Sequence, residues 1–81
     1  MEENKQLICE KMLELCKVIN FYQNVKSLTY IYNRDNDSGE LVNKRLPEEY
    51  VNATFTNGRH IYIDVSGDSG FKMIMNVFRC L

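Results

Sequence analysis

The sequence predicts an α+β domain of order helix–strand–strand–strand–helix, a three-stranded antiparallel meander with both helices packed on one face. Three observations carry this. Ile8, Met12, Leu15, Ile19 and Tyr22 recur at spacings of four and three, the period of one helix face. Two stretches of alternating apolar and polar residues, 50–56 and 59–66, flank the turn dipeptide Asn57-Gly58. Phe71, Ile74, Met75, Phe78 and Leu81 then restore the helical period.

Residues 5–22 read as the first helix. Cys9, Leu13 and Cys16 widen its apolar face, and Glu10, Lys11, Glu14 and Lys17 lie on the wet side. Residues 25–33, rich in aromatic and β-branched side chains, read as a strand. Its larger set, Leu28, Tyr30 and Tyr32, is expected to face the core, which leaves Ile31 outward. The stretch from Arg34 to Pro47 has the least regular pattern. Asp35-Asn36-Asp37-Ser38-Gly39 is a turn cluster, and a short extra strand at residues 40–44 is allowed.

Parity sets the register of the hairpin. Val51, Ala53 and Phe55 are the apolar set of one strand, and Ile61, Ile63 and Val65 that of the other. A two-residue loop would put these sets on opposite faces, because a shift of one residue flips a strand. A three-residue loop, Thr56-Asn57-Gly58, pairs Ala53 with Ile61 and Val51 with Ile63, with Gly58 supplying the left-handed conformation. Residues 69–81 read as the second helix, capped by Asp68 or Ser69. It is apolar over most of its circumference, so cover on more than one side is expected. The expected core comprises Ile8, Met12, Leu15, Ile19, Val51, Ala53, Phe55, Ile61, Ile63, Phe71, Ile74, Phe78 and Leu81.

Eighty-one residues make one domain, 1–81, and a small one that buries only roughly 60–65% of its unfolded surface. Ten basic and eleven acidic residues nearly cancel, and the balance holds in each third of the chain. No segment concentrates the positive field that drives nucleic-acid or membrane binding. Met1-Glu2-Glu3-Asn4-Lys5-Gln6 is unlike the start of a secretory signal, and no run has the roughly 18 apolar residues of a membrane span. The expectation is a cytoplasmic protein whose Cys9, Cys16 and Cys80 are reduced thiols. The nine Asn residues hint at an AT-rich bacterial or phage genome.

Under the three-residue register the sheet face away from the helices carries Tyr50, Asn52, Thr54, His60, Tyr62 and Asp64, and the first strand adds either Thr29 and Ile31 or Leu28, Tyr30 and Tyr32, with the larger set expected inside and Ile31 outside. Two helices cover one face of a three-stranded sheet, so this mixed aromatic and hydroxyl face is left open. Tyr is enriched in interfaces, which makes Ile31, Tyr50, Thr54, His60 and Tyr62 the candidate partner-binding residues. The plainer reading is that cross-strand Tyr and Thr pairs stabilise a wet face. In the second helix, Met73, Val77 and Cys80 form a stripe that either packs on the first helix or meets a second copy in a homodimer.

No metal or small-molecule cofactor is expected. Cys9 and Cys16 sit seven residues apart on one helix, unlike a Cys-x-x-Cys pair, and His60 falls on the opposite side of the sheet. Residues 35–40 lack the Gly and Glu spacing of a calcium loop. Ser66-Gly67-Asp68-Ser69-Gly70 opens a helix but has no phosphate-loop Lys. No nucleophile stands beside a base, so no enzymatic activity is expected.

Helix–strand–strand–strand–helix at this length is similar in topology to the double-stranded RNA-binding domain. That family carries a basic cluster at the start of its second helix. The matching positions here are Asp68-Ser69-Gly70-Phe71-Lys72-Met73, with one Lys and one Asp, so no RNA-contacting residue is carried over. The leading expectation is a small non-enzymatic interaction or assembly module, a description that a phage- or mobile-element-type inhibitor of a host factor would fit. The alternative is a nucleic-acid binder of that topology, stacking bases on Tyr50, His60 and Tyr62.

Overall fold

The computed structural model describes residues 4–81. Helix α1 (Lys5–Val18) leads through a 3-10 turn (Asn20–Tyr22) into strands β1 (Val25–Tyr32), β2 (Glu49–Phe55) and β3 (His60–Asp64), and helix α2 (Gly70–Cys80) closes the chain. The sheet is antiparallel with order β1-β2-β3. The order and class are those the periodicities predict.

The hairpin takes the register that side-chain parity demands. Val51 pairs with Ile63 and Ala53 with Ile61. The Phe55 N–H donates to the Arg59 carbonyl at 2.8 Å, closing a three-residue loop in which Gly58 takes φ 88°. On the other side of β2, Leu28 pairs with Ala53 and Tyr30 with Val51. A bulge between Val25 and Ser27 shifts the pleat by one residue. That shift turns Val25 back onto the core side with Leu28, three residues away, and both are buried. Tyr32, expected to face the core, stands exposed at the end of β1 opposite Glu49.

One core lies between the sheet and the helices. It joins Cys9, Met12 and Cys16 of α1, Val25, Leu28, Val51, Ala53, Ile63 and Val65 of the sheet region, and Met73 and Val77 of α2. Three expectations about the helices are corrected. The stripe α1 buries is Cys9–Met12–Cys16, so Leu15 and Ile19 stand exposed. In α2 the buried line is Gly70–Met73–Val77, and Phe71 is 72% exposed. Small residues at Cys9, Cys16 and Gly70 are thus among the inward-facing positions of the two helices. The first helix also ends early. Ile19 is extended, and the 3-10 turn sends Tyr22 to α2, where its hydroxyl donates to the Phe78 carbonyl at 3.3 Å and the two rings lie 5.2 Å apart.

The segment after β1 is tied down by one side chain. Asn33 is buried, and its Nδ2 donates to the carbonyls of Asn43, Leu46 and Pro47 at 2.8, 3.2 and 3.0 Å. Its Oδ1 accepts the Asn43 N–H at 3.0 Å. In place of a strand at residues 40–44 there is a single bridge between Arg34 and Leu41. Asp35 closes the turn below it by accepting the Asp37 and Ser38 N–H groups, and those bonds hold its carboxyl below the usual carboxylate range.

Candidate interaction surface

Strand alternation places Ser27, Thr29 and Ile31 of β1, Tyr50, Asn52 and Thr54 of β2, and His60, Tyr62 and Asp64 of β3 on the face away from the helices. The lateral rows are Ile31–Tyr50–Asp64, Thr29–Asn52–Tyr62 and Ser27–Thr54–His60. The face is not uniformly open. Tyr50 is 7% exposed, so it does not present itself to a partner, and here the sequence-based expectation is corrected. It stands in the central strand with Ile31 on one side and the edge of the Tyr62 ring, 5.5 Å from its own, on the other. Ile31 and Thr54 are half-buried, while Thr29, His60 and Tyr62 are exposed, with Tyr62 at 48%.

The accessible part is therefore an aromatic ridge along β3. Tyr62 is held edge-on by Tyr50 and meets the His60 ring at 5.3 Å. Contacts on both sides restrict its rotamers before any partner arrives, which lowers the ordering cost of binding. Beside Tyr62 the Asn52 Oδ1 is buried and has no hydrogen-bond partner among the described residues. Buried acceptors are nearly always satisfied, so this one marks polarity the fold itself does not use.

The stripe on α2 proposed for a homodimer is not accessible. Met73 is 0% exposed and Val77 is equally covered, both within this chain's own core, so a second copy cannot reach them. Cys80 alone of that stripe is at the surface. Phe71 and Met75 are the apolar residues α2 leaves outside. A shallow cleft beside them is lined by Asp68, Lys72, Met75, Asn76 and Arg79. Three of its polar side chains, Asp68, Asn76 and Arg79, bond to one another. Asn76 donates to Asp68 at 2.6 Å, and Arg79 donates to Asn76 at 2.8 Å.

Sequence reasoning missed the polar knot on the helix side of the sheet. Glu49 Oε1 accepts from the Lys5 ammonium at 2.6 Å and from the Tyr30 hydroxyl, while Oε2 accepts the Gly67 N–H at 2.8 Å. Burial alone would raise the Glu49 carboxyl. The bonds from Lys5, Tyr30 and Gly67 outweigh it and hold the group below its usual value. Burial, and then the bond to Glu49, push the Tyr30 phenol well above its ordinary range. With both oxygens occupied, this knot ties α1, β1, β2 and the turn before α2 together. Its bonds span 18 to 44 residues, so no local pattern signals it.

Burial, with the nearby Glu10 charge adding to it, pushes the Cys9 thiol up to about 11, and burial also raises Cys16. Neither is a ready nucleophile or ligand. Among the described residues no three His, Cys, Asp or Glu side chains converge as a metal site, and no helix is long and apolar enough to cross a membrane. No protein-family model, curated protein or solved structure matches this chain.

Proposed function

We propose that this chain is a non-enzymatic protein-interaction module that uses the open sheet face as its binding surface. The observation that carries the reading is the pre-positioned Tyr62 ring, exposed between Tyr50 and His60 on a face neither helix covers. Thr29 and Thr54 extend that surface with hydroxyl groups, and Ile31 gives it an apolar end. A near-zero net charge of −1 favours a protein over a polyanion as the occupant.

The test is site-specific photo-cross-linking in cells. A photoreactive residue at Thr29 reports the open face at its β1 side, and one at Glu10 reports the outer side of α1. The reading expects a heteromeric adduct from Thr29, absent when Tyr62→Glu is added and far-ultraviolet dichroism is unchanged. Adducts from Glu10 alone would contradict it. So would binding of labelled double-stranded RNA that weakens steeply between low and moderate salt, since that dependence is the mark of phosphate contacts.

A further inference from the structure

The two edges of the sheet are treated differently. At β1, the Asn33 N–H bonds to Glu48 across the ladder, so by antiparallel alternation Tyr30 directs its own N–H away from β2. That outward N–H is taken by the Gln6 side chain of α1 at 3.0 Å, and the bulge beside Val25 interrupts the rest of the edge. At β3, the Phe55–Arg59 and Val65–Glu49 bonds fix the phase of the ladder, so His60, Tyr62 and Asp64 direct their backbone groups outward. No other group of the described chain takes them up. Of the devices that blunt an edge, the strand lacks Pro, Lys and a bulge, and Asp64 at its end is its one carboxylate.

We propose that β3 pairs antiparallel with β3 of a second copy, about a two-fold axis through Tyr62, to form a continuous six-stranded sheet. The occupant follows from self-complementarity. In this register the outward residues pair as His60 with Asp64 of the second copy, Tyr62 with Tyr62, and Asp64 with His60, each pair exchanging both of its backbone hydrogen bonds. The His60 imidazole can donate a hydrogen bond to the opposed Asp64 carboxylate, and Ile61 faces Ile63 on the helix side. Centring the axis on Asp64 would set two carboxylates face to face, and centring it on His60 would pair Tyr62 with the loop at Gly58. Like charges directly opposite destabilise a sheet, so only the Tyr62 register satisfies all three pairs. The strand edge is available whether or not the open face binds a protein. If both hold, the dimer doubles that face and brings two Tyr62 rings together at its centre.

Sedimentation equilibrium from micromolar to millimolar protein tests the pairing. The expected result is a reversible shift from 9.5 kDa toward twice that mass. His60→Asp sets a second carboxylate against Asp64 of the partner at both ends and should weaken the dimer roughly tenfold or more. His60→Asp combined with Asp64→Lys sets opposite charges against each other and should return most of the affinity. Tyr62→Pro, which removes an outward N–H without touching the ladder to β2, should leave a folded monomer. The Asp64 carboxylate also accepts the Ser66 N–H at 3.0 Å, so each variant is compared at matched dichroism. A wild-type monomer at millimolar concentration would overturn the proposal. A dimer indifferent to His60→Asp and Tyr62→Pro would overturn it equally, and failure of the double variant to recover would overturn the register. None of these results bears on adducts formed at Thr29.

Discussion

Replacing Met73 and Phe71 by Ala, one at a time, separates the two faces of α2. Met73 is 0% exposed and Phe71 is 72% exposed, although periodicity alone assigns the larger aromatic to the core. Met73→Ala removes three side-chain heavy atoms, about 2.4 kcal/mol of transfer free energy at ~0.8 kcal/mol per methylene. The cavity left between α2 and the sheet adds to this, for a total of about 3 kcal/mol within the ~2–5 range of such truncations. A domain of this size has a stability of about 4–12 kcal/mol, so the loss is a large share of it. The melting temperature should fall by roughly 12 °C or more, at about 4–8 °C per kcal/mol. Phe71→Ala takes away a ring already mostly in water and should change stability by about 0.5 kcal/mol or less. The chain has no Trp, so urea titrations followed by dichroism and by tyrosine fluorescence are the suitable assay. Equal losses for the two variants, or a larger loss for Phe71→Ala, would refute the orientation of α2 and with it the burial of Val77.

Three further outcomes follow from the same structure. With a thiol reagent at neutral pH, Cys80 should label in the native protein, while Cys9 and Cys16 should react only after unfolding; rapid modification of all three would contradict their burial. Because the Glu49 carboxyl is held below its unfolded value, its stabilising effect is complete above about pH 4.3, the ordinary Glu value, and is lost as pH falls through the folded value. Glu49→Gln should therefore flatten the acid limb of stability measured below about pH 5, and an unchanged limb would show that Lys5 and Tyr30 do not hold the carboxylate. Asn33→Ala removes four hydrogen bonds that close residues 34–48 and should cost about 2–4 kcal/mol through unsatisfied carbonyls. New protease cleavage confined to that segment is the expected readout, and wild-type resistance would count against Asn33 as its anchor.

How far the sequence reached depended on the range of the interactions involved. The β2–β3 register was legible because side-chain parity and the loop length constrain each other, and the apolar sets share a face only when Thr56, Asn57 and Gly58 form the loop. The helix faces were less legible. Both helices carry more apolar residues than a three-stranded sheet can cover, so two overlapping stripes compete in each. The buried lines run through the small residues Cys9, Cys16 and Gly70, which a search for large apolar residues at helical spacing does not single out. The segment from Arg34 to Pro47 looked irregular because its organiser, Asn33, bonds to backbone carbonyls 10 to 14 residues onward. On the open face, the chain pattern identified His60 and Tyr62. It overstated Tyr50, since alternation says which way a side chain points and not what its lateral neighbours cover.

Amide hydrogen exchange along β3 in a dilute, monomeric sample tests the surface assignment most directly. Ile61 and Ile63 donate into the ladder with β2 and should exchange slowly, while His60, Tyr62 and Asp64 should exchange near the rate of an unprotected strand edge. Protection of the second group with rapid exchange of the first would place the opposite edge groups against β2, and the aromatic ridge and its open edge would go with it.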